Sequence, residues 1–389
     1  MKKILVLNHF TTVYPPTSGG TLRYFHLYQH LSRYYGITLL SQSHRQHQEV
    51  MEYSPTFREV RVEIDHYYKT LSGKLPVNQP IYEFGILVQA KLSQYPTIYN
   101  RYFQRLSQAC DLIIHESPYL LRYDKGLGKD NKPRIYNSHN HEFLLAHQLW
   151  KSDVARQFLP VLYQWEKQLV SHSSLVFATS ETERKSFITL YQSNPNKFKL
   201  APNGIEPMEW IPRNNQHNPK TKALFIGASY PPNLEAADFI INHLADRCPA
   251  VEFVLAGGCC LPFRTQRKVN VQLRGIIDHQ EKLKLYSEVD IAVNPMFTGA
   301  GVNLKTLEFL SAGIPMFSTR HGVRGLNLID SEHYILAEKG HFAKKINQLS
   351  QNHGHLKEIA ARGQKYINVH YAWSQIASHL KTEIERVIP

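Results

Sequence analysis

Lys305 and Glu308 stand one helical turn apart, behind a Gly299-Ala300-Gly301 loop and a short apolar run, Asp290-Ile291-Ala292-Val293. These residue types in this order suit a phosphate-bearing ligand. Glycines let a backbone approach closely, and the N–H groups of Gly301, Val302, Asn303 and Leu304, at a helix start, favour an anion. A cation in the first turn opposes the helix dipole unless an anion offsets it, and Lys305 falls there. Glu308 lies on the same face and accepts hydrogen bonds of the kind sugar hydroxyls donate. The competing reading is a plain strand, loop and helix with a surface Lys–Glu pair. The length of the flanking pattern, 294–319, favours the ligand site.

Other residues could join that chemistry. His139 follows the strand-like run Arg134–Asn137, and in doubly wound sheets ligands meet the carboxyl ends of strands. His139 is then either a ligand-facing imidazole or a structural histidine. His141 and Glu142 beside it invite a metal reading, but no third ligand cluster accompanies them, so no metal is expected. Gly19 and Gly20 precede a helix and could receive a phosphate or an acceptor, or simply make a tight turn. Adjacent glycines are not the G-x-G-x-x-G fingerprint of nicotinamide enzymes. Gly227 closes the apolar run 223–226. Arg274, Gly275 and Ile276 follow another run, Val269–Leu273, and Arg274 reads equally as a site residue or a solvated charge. No Asp-x-Asp follows an apolar strand, and no G-x-S-x-G elbow or Cys–His nucleophile stands out.

The elements that must position these residues come in two similar sets. Lys3–Asn8, a loop with Gly19 and Gly20, a helical stretch with Leu22, Phe25 and Leu31 on one face, and Ile37–Leu40 make a β-loop-α-β unit. Ala223–Gly227, a Pro-Pro-Asn turn, a helix over 234–248 and Val251–Gly257 make another. Strands alternating with helices imply an α/β fold with parallel sheets, here two Rossmann-like domains facing across a cleft. The expected division is 1–205, 206–371 and an amphipathic final helix over 372–389, with a polar linker over 214–222. Residues 66–106, rich in tyrosine and basic side chains, read as a helical insertion with exposed aromatics or as a packed helix pair.

The 389 residues suffice for two cores. Cys110, Cys248, Cys259 and Cys260 contain no C-x-x-C and read as reduced thiols. The apolar start is broken at Asn8 and His9, so a signal peptide is not expected, and no window reaches the roughly 20 apolar residues of a membrane span. A cytoplasmic chain, peripheral to the membrane at most, follows as an expectation. The net charge of +13 favours an anionic partner, either a phosphorylated ligand or an anionic membrane surface. Nucleic acid is disfavoured because the basic residues are spread out and no nucleic-acid motif appears.

The 294–319 segment resembles the donor region of the large retaining GT-B glycosyltransferase family four. Further matching pieces run in order: Gly19-Gly20, Ser138-His139-Asn140, Ser180-Glu181, Pro202-Asn203-Gly204, Gly227 with Pro232-Asn233, Ala256-Gly257-Gly258 and Arg274-Gly275. The resemblance implies transfer of a sugar from a nucleotide diphosphate sugar to a glycan or glycolipid, without cofactor or metal and with retention, the acceptor bound by 1–205, the donor by 206–371, and the helix 372–389 returning to the first domain. It gives Glu308 the ribose, Lys305 the diphosphate, His139 the sugar and the 274–276 loop the base. The family carries a second glutamate where this chain has Ala300. That departure leaves a non-catalytic nucleotide-sugar-binding relative as the alternative.

Overall fold

The computed structural model describes residues 1–9, 13–16, 19–43, 48–72, 81–207, 210, 220–299 and 301–388, with the side chains of 69, 72 and 81–84 excepted. Ala300 and most of the expected linker lie outside the described residues. The chain forms two compact units: Met1–Pro202 with Ile376–Pro389, and Asn203–Gln375.

The first unit is built on an eight-stranded sheet. Its strands are β1 (Lys3–Leu7), β2 (Gly36–Ser43), β3 (Glu49–Ser54), β4 (Phe57–Glu63), β5 (Leu112–His115), β6 (Arg134–Asn137), β7 (Leu175–Ala178) and β8 (Phe198–Leu200), in the order β3-β4-β2-β1-β5-β6-β7-β8. Only the β3–β4 pair is antiparallel. The central strands β1, β5, β6 and β7 are buried nearly throughout. A parallel sheet covered by helices on both faces buries its central strands, which accounts for the apolar runs of β1, β5 and β7; in β6 the buried Arg134 and Asn137 are hydrogen-bonded instead. Residues 66–106 contribute the helices Tyr67–Ser72 and Ile81–Leu92 and most of Ile98–Gln108. The expected exposed aromatics turn inward in part, since Tyr99 and Phe103 are core residues against β1 and β5.

The second unit carries β9 (Thr221–Ile226), β10 (Val251–Ala256), β11 (Val271–Gly275), β12 (Ile291–Asn294), β13 (Met316–Ser318) and β14 (Ile335–Leu336), all parallel, in the order β11-β10-β9-β12-β13-β14. Strand β11 begins two residues later than its apolar pattern suggests. The β9-to-β10 connection is one helical path, Pro231–Phe239 passing through a π turn, Ile240–Leu244, into Ala245–Arg247. In both sheets the first strand lies between its successor and a later strand, so the chain reverses direction of build there. Ligands meet such sheets outside the carboxyl ends at that reversal.

Candidate functional site

In the second unit the reversal falls between β9 and β12. Gly227 leaves β9 and donates its N–H to the Ala256 carbonyl at 3.0 Å. Gly257, with φ of 93°, packs so closely that a Cβ would sit 2.3 Å from the Gly227 carbonyl oxygen. Only glycine allows these two strand ends to meet. Asn294 ends β12, and its buried side chain donates to Thr306 Oγ1 at 3.0 Å, Ser318 Oγ at 3.3 Å and the Gly322 carbonyl at 3.1 Å. One side chain thus ties β12, β13 and the motif helix, Leu304–Ser311, into a single frame.

Gly299 and Gly301 take φ of 114° and 66°, which other residues resist, and carry the chain into that helix. Asn303 holds the cap position but places no side-chain hydrogen bond on the first turn. Lys305 is not a surface residue. It is buried, its Nζ donates to Asn233 Oδ1 at 2.7 Å, and it lies 4.3 Å from the centroid of the Phe225 ring. Burial pushes its pKa down to about 7, against the opposing pull of Cys259 and Glu308, while the Arg324 charge lowers it further. Asn233 itself sits in the Pro-Pro-Asn turn that follows Gly227. The first turn of one helix therefore meets the first turn of another at this lysine.

Glu308, one turn on, is held from elsewhere. Lys282 Nζ lies 2.6 Å from Oε1, and the Tyr286 hydroxyl donates to Oε2 at 3.0 Å. Both come from the helix His279–Glu288, whose start is fixed by a reciprocal cap between Asp278 and Glu281. Arg324, which has no role in the sequence reading, lies beside Gly299, where a Cβ would come 3.2 Å from its Nη2. Arg274, Gly275 and Ile276 line a pocket of about 660 Å³ together with Cys260, Arg264 and Arg267.

Gly19 and Gly20 are not among these residues. They belong to the first unit and open the helix Gly19–Leu31. There the reversal lies between β1 and β5, and a second polar cluster gathers at the strand ends. Glu116, fully buried after β5, receives hydrogen bonds from Asn137 Nδ2 at 2.6 Å, from His139 Nε2 at 2.5 Å and from the Tyr28 hydroxyl. Arg23 reaches Asn137 Oδ1 at 2.9 Å and the Pro202 carbonyl at 3.0 Å. Burial lowers the His139 pKa, opposed by its hydrogen bond and charge interaction with Glu116. His9, after β1, is pushed down to about 3 by burial and by His139.

His141 does not share the environment of His139. Its ring stacks on Phe187 at 4.2 Å, and its Nδ1 lies 3.2 Å from Glu166, a carboxylate that also receives Tyr136, Tyr191 and two backbone N–H groups. Among the described residues no group of three or more His, Cys, Asp or Glu is arranged to hold a metal ion. No described helix is long and apolar enough to cross a membrane.

Residues 220–352 match the family model described as Glycosyl transferases group 1. The matched segment lies within the second unit. That segment contains Gly227, Asn233, Lys282, Lys305 and Glu308. A Klebsiella pneumoniae protein described as an uncharacterized 44.6 kDa protein in cps region is 22% identical over 294 residues, spanning 72% of this chain and 75% of that protein. The sucrose-phosphate synthase of Thermosynechococcus elongatus superposes with a TM-score of 0.74 at 15% identity, covering 100% of this chain and 99% of the other. Anabaena HepE, solved in complex with UDP and glucose, superposes at 0.68 with 14% identity over 99% and 100%. At such identities the likeness is one of fold, the GT-B arrangement of two Rossmann-like α/β domains.

Proposed function

We propose that this chain transfers a sugar from a nucleotide diphosphate sugar to a glycan or glycolipid acceptor. The observation that carries the reading is Lys305: a buried ammonium beside an uncapped first helical turn, one turn from Glu308. In the transfer, the bond between the anomeric carbon and the β-phosphate oxygen breaks. An acceptor hydroxyl oxygen bonds to that carbon and passes its proton to the departing diphosphate. Negative charge grows on the departing diphosphate, where preorganised donors help most. Lys305 and the N–H groups from Gly301 to Leu304 supply them. Glu308 takes the ribose, the 274–276 loop the base, and His139 the transferred sugar. Solved GT-B structures holding UDP, such as HepE, make a UDP-sugar the first donor to try. Retention, independence from metal, and an acceptor at the cytoplasmic face of the membrane complete the reading; the last is supported by the +13 charge.

The test is thermal unfolding with UDP-, GDP- and ADP-sugars, without metal, for the wild type and Glu308→Ala. Ligand at 100 times its dissociation constant adds about 2.7 kcal/mol of stability. A shift with one nucleotide sugar, lost in the variant, supports the donor site. Absence of any shift overturns it. Binding without turnover on any acceptor would instead favour the non-catalytic relative that Ala300 raises.

A further inference from the structure

The family pattern accounts for Glu308 but not for the two side chains that hold it. Lys282 and Tyr286 are one turn apart on the same helix face, and each takes a different oxygen of the Glu308 carboxylate. Trp210 stacks on Tyr286, with ring centroids 4.9 Å apart and planes 12° from parallel. Lys282 Nζ lies 5.7 Å from the centroids of both rings. The ammonium is therefore confined by a carboxylate and two π-faces, and the carboxylate is confined by the ammonium and a phenol.

A carboxylate offers about four lone-pair sites, two on each oxygen. Lys282 and Tyr286 each bond a different oxygen, so each oxygen keeps acceptor capacity for a further donor. One acceptor site on each oxygen is what two adjacent hydroxyls need. We propose that Lys282, with Tyr286, is the positioning residue that turns Glu308 into a bidentate acceptor for the ribose cis-diol, and so sets the preference of the site for ribonucleotides over 2′-deoxyribonucleotides. The inference rests on the donor-site reading above. Without Lys282 the carboxylate keeps a single tether, rotates, and meets the diol with one oxygen in varied orientations.

Titration calorimetry of UDP, GDP and ADP, each against its 2′-deoxy form, tests this on the full chain. The variants are Lys282→Met, Lys282→Arg and Glu308→Gln. The Lys282 side chain is partly exposed, methionine keeps most of its volume, and the arginine variant keeps the charge as a control for folding. The wild type is expected to prefer the tightest-binding ribonucleotide about tenfold or more. Glu308→Gln should lose that preference, Lys282→Met should lose most of it, and Lys282→Arg should restore part. A general loss of packing would weaken both forms equally and leave the ratio unchanged. A wild-type ratio in Lys282→Met overturns the role of Lys282 and leaves Glu308 standing. No ribose preference in the wild type overturns the assignment of Glu308, and no binding of any nucleotide overturns the donor site as well.

Discussion

The polar clusters at the two sheet reversals are built on opposite principles. Around Lys305 a cation is buried with a neutral amide partner, 2.7 Å away, and an uncapped helix start. Around Glu116 an anion is buried with three donors already in place. The first arrangement holds positive potential that a ligand can neutralise. The second is internally complete, and holds the His139 ring in one orientation. Buried charge left unneutralised by its neighbours costs stability and is kept where it serves binding. Charge that is satisfied serves to order its surroundings.

The sharpest way to break this contrast is to delete each charge. Lys305→Ala should lower transfer by roughly 10²–10³-fold, the scale for losing one donor to developing charge, with little loss of folding stability. Turnover and thermal unfolding measured together check it; near-wild-type turnover removes Lys305 from the chemistry. Glu116→Ala should do the reverse to stability. It strands three buried donors and should cost about 3 kcal/mol, seen as a clear fall in the unfolding midpoint. A midpoint unchanged within a degree would show that the cluster is not the internally satisfied unit described here.

The pH dependence sharpens the same comparison. Lys305 titrates near 7 in the unliganded protein, and a bound diphosphate raises its pKa. Donor affinity is then complete below pH 7 and falls as pH rises above it, by up to about tenfold per unit, until the pKa of the complex is reached. Calorimetry from pH 6 to 9 in buffers of different ionisation enthalpy should show proton uptake on binding above pH 7. Flat affinity with no uptake would sink the idea. The smallest effect belongs to Asn233→Ala. Loss of its acceptor should lower the Lys305 pKa further, shift that profile to lower pH and weaken nucleotide binding by roughly tenfold or less. An unshifted profile would show that Asn233 only fills space.

How much of each cluster could be read in advance follows from distance along the chain. Lys305, Glu308 and the Gly299 and Gly301 loop fall within one short segment, so helix periodicity and turn chemistry alone place them together. The Glu116 cluster draws on Arg23, Tyr28, Asn137 and His139, with Arg23 and Asn137 separated by 114 positions. Only His139 carried a signal, its place after a strand. Glu116 follows β5 in the same way, but a lone glutamate after an apolar run reads as an ordinary surface charge. Lys282 and Tyr286 were equally silent, since their i, i+4 spacing describes any amphipathic helix face. Arg324, a basic residue after the last motif strand, carried no signal among 45 basic residues.

Sequence by itself determined the alternation of buried strands with helices, the two β-loop-α-β starts, and the glycine loop leading to Lys305 and Glu308. Each is local, because period, propensity and backbone freedom act within about a turn or a strand. Tertiary structure alone decided which strand ends became neighbours, and with them every partner of the ionised groups. It buried Lys305 against Asn233 and Phe225, gave Glu308 to Lys282 and Tyr286, and turned His139 toward Glu116 and His141 toward Glu166. Burial and charge pairing depend on what lies within a few ångströms in space, and strand order, which no local pattern encodes, brings those groups together.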